Sequence, residues 1–127
     1  MDPVGDVDFA AAPATLLIVI REDCRFCQDS IPFYRQLSDA RIKQPGSGVR
    51  LVVASTDVSE SLASFLKSKE IRVDHISNVQ AGDLKVPGTP ALLLIDRSGK
   101  VAKVWRGRLA ERQQKEVLLT LGLVPAE

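Results

Sequence analysis

Residues 15–20, Thr-Leu-Leu-Ile-Val-Ile, form a short unbroken run that ends four residues before the chain's only two cysteines, which stand together in Cys24-Arg25-Phe26-Cys27. A continuous apolar run rich in β-branched residues predicts a strand covered on both faces. The stretch after the cysteines carries a helical period, so the pair falls at a strand-to-helix junction. Two thiols separated by two residues at a helix start lie one turn apart, close enough to bond to each other with little backbone movement. Unpaired N–H groups at the helix start favour a thiolate, so Cys24 is expected to be the more acidic and more reactive thiol. A redox dithiol is the leading reading.

The remaining pattern continues the alternation. A helix is predicted over 24–42, with Ile31, Tyr34, Leu37 and Ile42 on its apolar side and Pro45-Gly46-Ser47-Gly48 ending it. Pro32 falls inside this span and predicts a kink about one turn past Cys27. A second buried strand over 49–54 leads through the capping residues Ser55-Thr56-Asp57 to a helix over 59–69, with Leu62, Phe65 and Leu66 facing inward. Residues 71–89 are less regular, with one short helical turn expected over 79–84. Strands over 91–95 and 101–106, joined by Asp96-Arg97-Ser98-Gly99-Lys100, read as an antiparallel hairpin. A last helix over 110–121 places Ala110, Val117, Leu118 and Leu121 on one face and closes at Gly122. Strand and helix alternate, then two strands precede a helix. That order predicts an α/β fold: a central mixed sheet of four strands, or five, with right-handed crossovers and helices on both faces. The expected organisation is an N-terminal extension over 1–14, one domain over 15–122 and a tail over 123–127.

A chain of 127 residues that is 45% apolar fits a single domain with one core. Seventeen Lys and Arg against sixteen Asp and Glu are interleaved along the chain, which argues against a nucleic-acid partner. No apolar run approaches the roughly 18 to 20 residues that cross a bilayer, and the start, Met1-Asp2-Pro3-Val4-Gly5-Asp6, lacks the basic and apolar regions of a signal peptide. The chain as given is expected to be soluble and monomeric. A start of this kind is equally compatible with loss of a membrane anchor, and one vicinal cysteine pair suits either side of a membrane. A structural zinc site needs about four ligands, and His75 is the only other soft candidate, so no metal is expected. His75 reads as a surface or loop residue and Trp105 as a packing residue. Phe26 is equally suited to packing and to touching a substrate. The charges at Arg21, Glu22 and Asp23 suit a solvated loop as well as a specificity element.

This order of elements, with the dithiol at the first helix start, resembles the thioredoxin fold family from about residue 15 to 122. Pro32, five residues after Cys27, stands where that family carries a helix-kinking proline. Gly88-Thr89-Pro90-Ala91, before Leu92-Leu93-Leu94-Ile95, looks like its cis-proline segment, and Gly107 matches its glycine after the last strand. Val86-Pro87-Gly88-Thr89-Pro90 and residues 95–101 look most like bacterial extracytoplasmic thiol-disulfide oxidoreductases, including reductants for cytochrome c maturation. The resemblance implies a thiol-disulfide oxidoreductase in which Cys24 attacks and Cys27 resolves. It implies no cofactor beyond the Cys24–Cys27 disulfide. Gly88, Thr89, Pro90 and Phe26 would then contact substrate, and Arg25, Asp23 and Glu22 would tune the Cys24 thiol. The implied partners are a protein disulfide or dithiol and an upstream thiol electron donor. Two departures stand out: Asp23 replaces the family's usual tryptophan before the first cysteine, and Ile18 fills the position of a buried aspartate that assists the second cysteine. A peroxidase of the peroxiredoxin group, which shares the fold, is disfavoured because Arg21 stands three residues before Cys24 where those enzymes place Thr or Ser. A non-catalytic binding module is disfavoured by retention of both thiols. A copper carrier is disfavoured by the cysteine spacing.

Overall fold

The computed structural model describes residues 9–21, 25–44, 46, 48–55, 60–78 and 90–123. Strands β1 (Ala14–Val19), β2 (Val49–Ser55), β3 (His75–Asn78), β4 (Ala91–Asp96) and β5 (Val101–Arg106) form one mixed sheet in the order β3-β2-β1-β4-β5. β1, β2 and β3 run parallel, and β4 and β5 are antiparallel additions on the other side. The helices are α1 (Arg25–Asp29), α2 (Ile31–Lys43), α3 (Glu60–Ser68) and α4 (Glu111–Leu121), and a 3-10 turn covers Phe9–Ala11.

Successive strand side chains point to opposite faces, and the core divides accordingly. On one face Leu16, Ile18, Leu51, Val53 and Leu92 pack with Ile31, Phe33, Tyr34 and Leu37 of α2, Leu62 and Leu66 of α3, and Val117, Leu118 and Leu121 of α4. The other face gathers Leu17, Val19, Val52, Ala54, Ala91, Leu93 and Ile95 around Phe9, which lies within the expected N-terminal extension yet belongs to this core. Because β1, β2 and β3 succeed one another in a single direction, right-handed crossovers carry α2 and α3 over the same face.

Thr15 pairs with Arg50 and Ile95 in the middle of the sheet, is fully buried, and its Oγ1 has no hydrogen-bond partner. A buried hydroxyl without a partner costs about 1–3 kcal/mol, and valine has the same shape and suits a strand. Thr15→Val should therefore raise stability by about 1 kcal/mol, read as a higher urea midpoint at unchanged slope. A lower midpoint would show that the hydroxyl is satisfied.

Four expectations are corrected. First, the single helix expected over 24–42 is two helices that meet at Ser30. Ser30 N–H donates to the Phe26 and Cys27 carbonyls at 3.2 and 3.1 Å, and its hydroxyl donates to the Phe26 carbonyl at 2.8 Å. Pro32 is thus in the first turn of α2, where its missing N–H would have had no helical partner, instead of in a helix interior. Second, Ile42 is 40% exposed and is not part of the core, while Phe33, one turn before Leu37 and beside the expected stripe, is buried. Third, Ala110 is exposed: it is the N-cap of α4, where Gln113 Oε1 accepts from its N–H at 3.1 Å. Gly122, at φ 69°, ends that helix in the left-handed conformation, with Leu123 N–H reaching the Leu118 carbonyl at 2.9 Å.

Fourth, the segment over 71–89, read as less regular, contains the edge strand β3. His75 opens that strand with its side chain exposed, a surface residue as read. Polar side chains of α2 anchor this segment. Arg35 Nε donates to the Lys69 carbonyl at 2.9 Å, and the buried Ser38 hydroxyl accepts from Arg72 N–H at 2.7 Å and donates to its carbonyl at 3.1 Å. Arg41 pairs with the Asp74 carboxylate, which also accepts from Leu51 N–H at 2.9 Å. Asp74 N–H closes on the Leu51 carbonyl at 2.8 Å, fixing where β3 joins β2.

The β4–β5 hairpin forms as expected. The Asp96 carboxylate accepts from the Ser98 hydroxyl at 2.6 Å, Ser98 N–H at 2.9 Å and Lys100 N–H at 3.0 Å, while Gly99 takes φ 87°. The Ser98 hydroxyl first, and then Lys100 N–H, hold this carboxyl below the usual carboxylate range.

Candidate active site

The sheet register fixes where the site lies. Val19, the last residue of β1, pairs with Ala91, the first of β4, and Ala91 pairs with Arg106, the last of β5. The exit of β1 toward α1, the entry to β4 at Pro90 and the exit of β5 at Gly107 therefore meet at one end of the sheet. Gly107, at φ 74°, donates its N–H to the Pro90 carbonyl at 2.8 Å. Arg108 Nη1 then approaches Asp29 Oδ2 at 3.7 Å, tying this corner to α1.

Cys27 sits in the middle of α1, 2% exposed, in the core cluster that contains Ile31 and Tyr34. It is disulfide-bonded and not a free thiol. Its neighbours on the helix differ sharply: Arg25 is exposed and the Phe26 ring is 56% exposed, the second most exposed large apolar side chain among the described residues. Phe26 is therefore outside the buried core, with much of its ring open to solvent. Pro90 is buried at the start of β4. Cys24, Asp23, Glu22, Gly88 and Thr89, and the helical turn expected over 79–84, lie outside the described residues.

Ser30 and Tyr34 were not singled out in the sequence as site residues. Tyr34 follows Ser30 by one helical turn, its N–H donates to the Ser30 carbonyl at 3.0 Å, and its ring is 3% exposed against Phe33. Burial pushes the Tyr34 phenol up to about 12, opposed by its hydrogen bond with Ser30. The only hint in the sequence was the i, i+4 spacing of Phe26, Ser30 and Tyr34. Trp105 is a packing residue as read: it is 5% exposed and its Nε1 donates to Glu116 Oε1 at 3.0 Å. The Lys103 ammonium, 2.6 Å from the same carboxylate, is the main reason Glu116 stays below the usual carboxylate range, with Trp105 adding to it. Among the described residues no cluster of His, Cys, Asp or Glu suits a metal ion, and no helix is long and apolar enough to cross a membrane.

Neither a protein-family model nor a curated protein matches the chain. Solved structures do. A thiol-disulfide isomerase from Corynebacterium glutamicum is similar at a TM-score of 0.68 and 17% identity, over 96% of this chain and 88% of its own. A thiol:disulfide interchange protein from Bacteroides sp. matches at a TM-score of 0.64 and 19% identity, over 91% and 76% of the two chains. A thiol:disulfide interchange protein of the thioredoxin family from Chlorobium tepidum matches at 0.63 and 16%, over 87% and 80%. At these identities the likeness is one of fold, and it spans 87–96% of this chain and 76–88% of the others.

Proposed function

From the thioredoxin fold, we propose that this chain is a thiol-disulfide oxidoreductase that reduces protein disulfides, with Cys24 as nucleophile and Cys27 as resolving thiol. The observation that carries the proposal is the state of Cys27: buried, disulfide-bonded, and part of a chain with only one other cysteine. At 2% exposure Cys27 cannot meet a protein substrate first, so it takes the second step.

The Cys24 thiolate attacks one sulfur of the substrate disulfide, and the other sulfur leaves as a thiolate that takes up a proton. Cys27 gives its proton to water and attacks Cys24 Sγ, releasing the second substrate sulfur and closing the Cys24–Cys27 disulfide. Two electrons and two protons pass from the dithiol to the substrate, and an external thiol donor restores the dithiol. Run backward, the same steps oxidise a dithiol. The exposed Phe26 ring and the Gly88-Thr89-Pro90 segment are proposed to hold the substrate chain, the latter by backbone pairing. Arg25, at the helix start, is proposed to favour the Cys24 thiolate, with Asp23 and Glu22 opposing it. No cofactor other than the cysteine pair is required.

The test is direct. The reduced protein should lose two hydrogens in mass under mild oxidant, and it should accelerate insulin reduction by dithiothreitol. Unchanged mass together with no acceleration would remove the proposal.

A further inference from the structure

A cavity of about 340 Å³ opens between the α1–α2 corner and α3, lined by Gln28, Asp29, Ile31, Phe65 and Lys69. Gln28 and Asp29 directly follow Cys27, so one wall of the cavity is carried by the short helix that holds the buried cysteine.

Its lining carries one cation, Lys69, and one acid, Asp29. The Lys69 ammonium lies over the Phe65 ring, 5.9 Å from the centroid, and the Arg35 guanidinium reaches the Lys69 carbonyl at 2.9 Å. Among the described residues no carboxylate lies within ion-pair distance of Lys69 or Arg35. The single acid of the wall, Asp29, is offset by Arg108 at 3.7 Å. Lys69 is also held in place. Its N–H closes the last turn of α3 on the Phe65 carbonyl at 3.1 Å, Glu70 takes φ 60°, and Ile71 N–H returns to the Leu66 carbonyl at 3.0 Å. The Lys69 carbonyl, which would repel an approaching anion at this helix end, is the one that Arg35 covers.

We infer that this groove selects protein substrates whose reactive half-cystine is flanked by Asp or Glu, with Lys69 as the specificity-determining residue. The inference rests on the dithiol chemistry proposed for Cys24 and Cys27. The bound carboxylate meets the Lys69 ammonium while its methylene stem lies along Phe65. Only the Lys69 side chain is used, and the anchoring bond from Arg35 goes to its backbone, so side-chain replacement leaves the fold intact.

The experiment compares the full chain with Lys69→Ala and Lys69→Glu on peptide disulfides that differ only in carrying Glu or Gln beside the half-cystine. Hydroxyethyl disulfide serves as a small uncharged control. At low ionic strength the unmodified protein should favour the Glu peptide by about fivefold in kcat/KM, as a partly exposed ion pair allows. The preference should fade with added salt, vanish in Lys69→Ala and reverse in Lys69→Glu, while hydroxyethyl disulfide is reduced equally by all three. Equal kcat/KM for the Glu and Gln peptides, or a preference that survives in Lys69→Glu, overturns the inference and leaves the dithiol chemistry standing. Failure to reduce any disulfide, the small control included, overturns the dithiol chemistry itself and this inference with it.

Discussion

Replacing Cys27 by serine should abolish multiple turnover and leave one substrate chain covalently held on each protein molecule. Cys27 is buried in α1 and disulfide-bonded, so it is placed to attack from inside the molecule and not to meet substrate from outside. A serine hydroxyl fits the same space but is far too weak a nucleophile to break a sulfur–sulfur bond. The first attack, by Cys24, then proceeds and the second does not. A stable mixed disulfide should accumulate, visible as a mass increase equal to the substrate chain and reversed by excess dithiothreitol. Cys24→Ser is the informative partner: it should neither turn over nor trap. Retained turnover in Cys27→Ser would mean that the second cysteine has no part in the chemistry. Trapping by Cys24→Ser would exchange the two roles.

The second large effect is on stability at high pH. Tyr34 is the chain's single tyrosine, so tyrosinate absorbance reports on this side chain alone. In the folded protein burial raises its phenol to about 12, whereas in the unfolded chain it titrates near the ordinary 10.0. Below the unfolded value both states keep the proton and the contribution is complete. Between the two values the unfolded chain loses its proton while the folded one does not, so stability falls as pH rises, by about 1.4 kcal/mol per unit. The total loss approaches about 3 kcal/mol. Lysines titrate in the same range, so the quantity to follow is the difference in unfolding free energy between the natural protein and Tyr34→Phe. That difference should decline across the window and level off above it. A phenol that ionises near 10 while the chain remains folded would contradict the buried placement. Because Tyr34 packs one turn below Ser30 in the cluster that holds Cys27, the same titration should loosen the second thiol's setting.

What was legible in the sequence follows from how strongly each element is buried. Residues 15–20, 49–54 and 91–95 read as strands because a strand covered on both faces must be apolar at nearly every position, and Leu16, Leu17, Leu51, Val52 and Val53 are all fully buried. The hairpin was readable from Asp96, Ser98 and Gly99 because its bonds are local: a carboxylate reaching forward two to four residues and a glycine at positive φ. The edge strand β3 was not readable. His75-Ile76-Ser77-Asn78 is short and mostly polar, and what makes it a strand is pairing with Val52 to Ser55 and anchoring by side chains more than thirty positions away. Pro32 announced a break, but where the helix divides was set by Ser30, whose backbone and hydroxyl both turn back on Phe26.

For the site, the same division holds. The two cysteines, their spacing and their place after a buried strand are local facts, and they were enough to name the chemistry to be tested. That Cys27 is buried while Phe26 stands out, that Pro90 meets Gly107 at the corner where β1 exits, and that Lys69 shares a groove with Gln28 and Asp29 of α1 all depend on which elements lie side by side. Periodicity and turn chemistry act over a few residues, so a sequence can carry them by itself. Strand order, the face each crossover helix takes and the charge around a cavity arise from contacts between distant segments, and only the packed chain decides them.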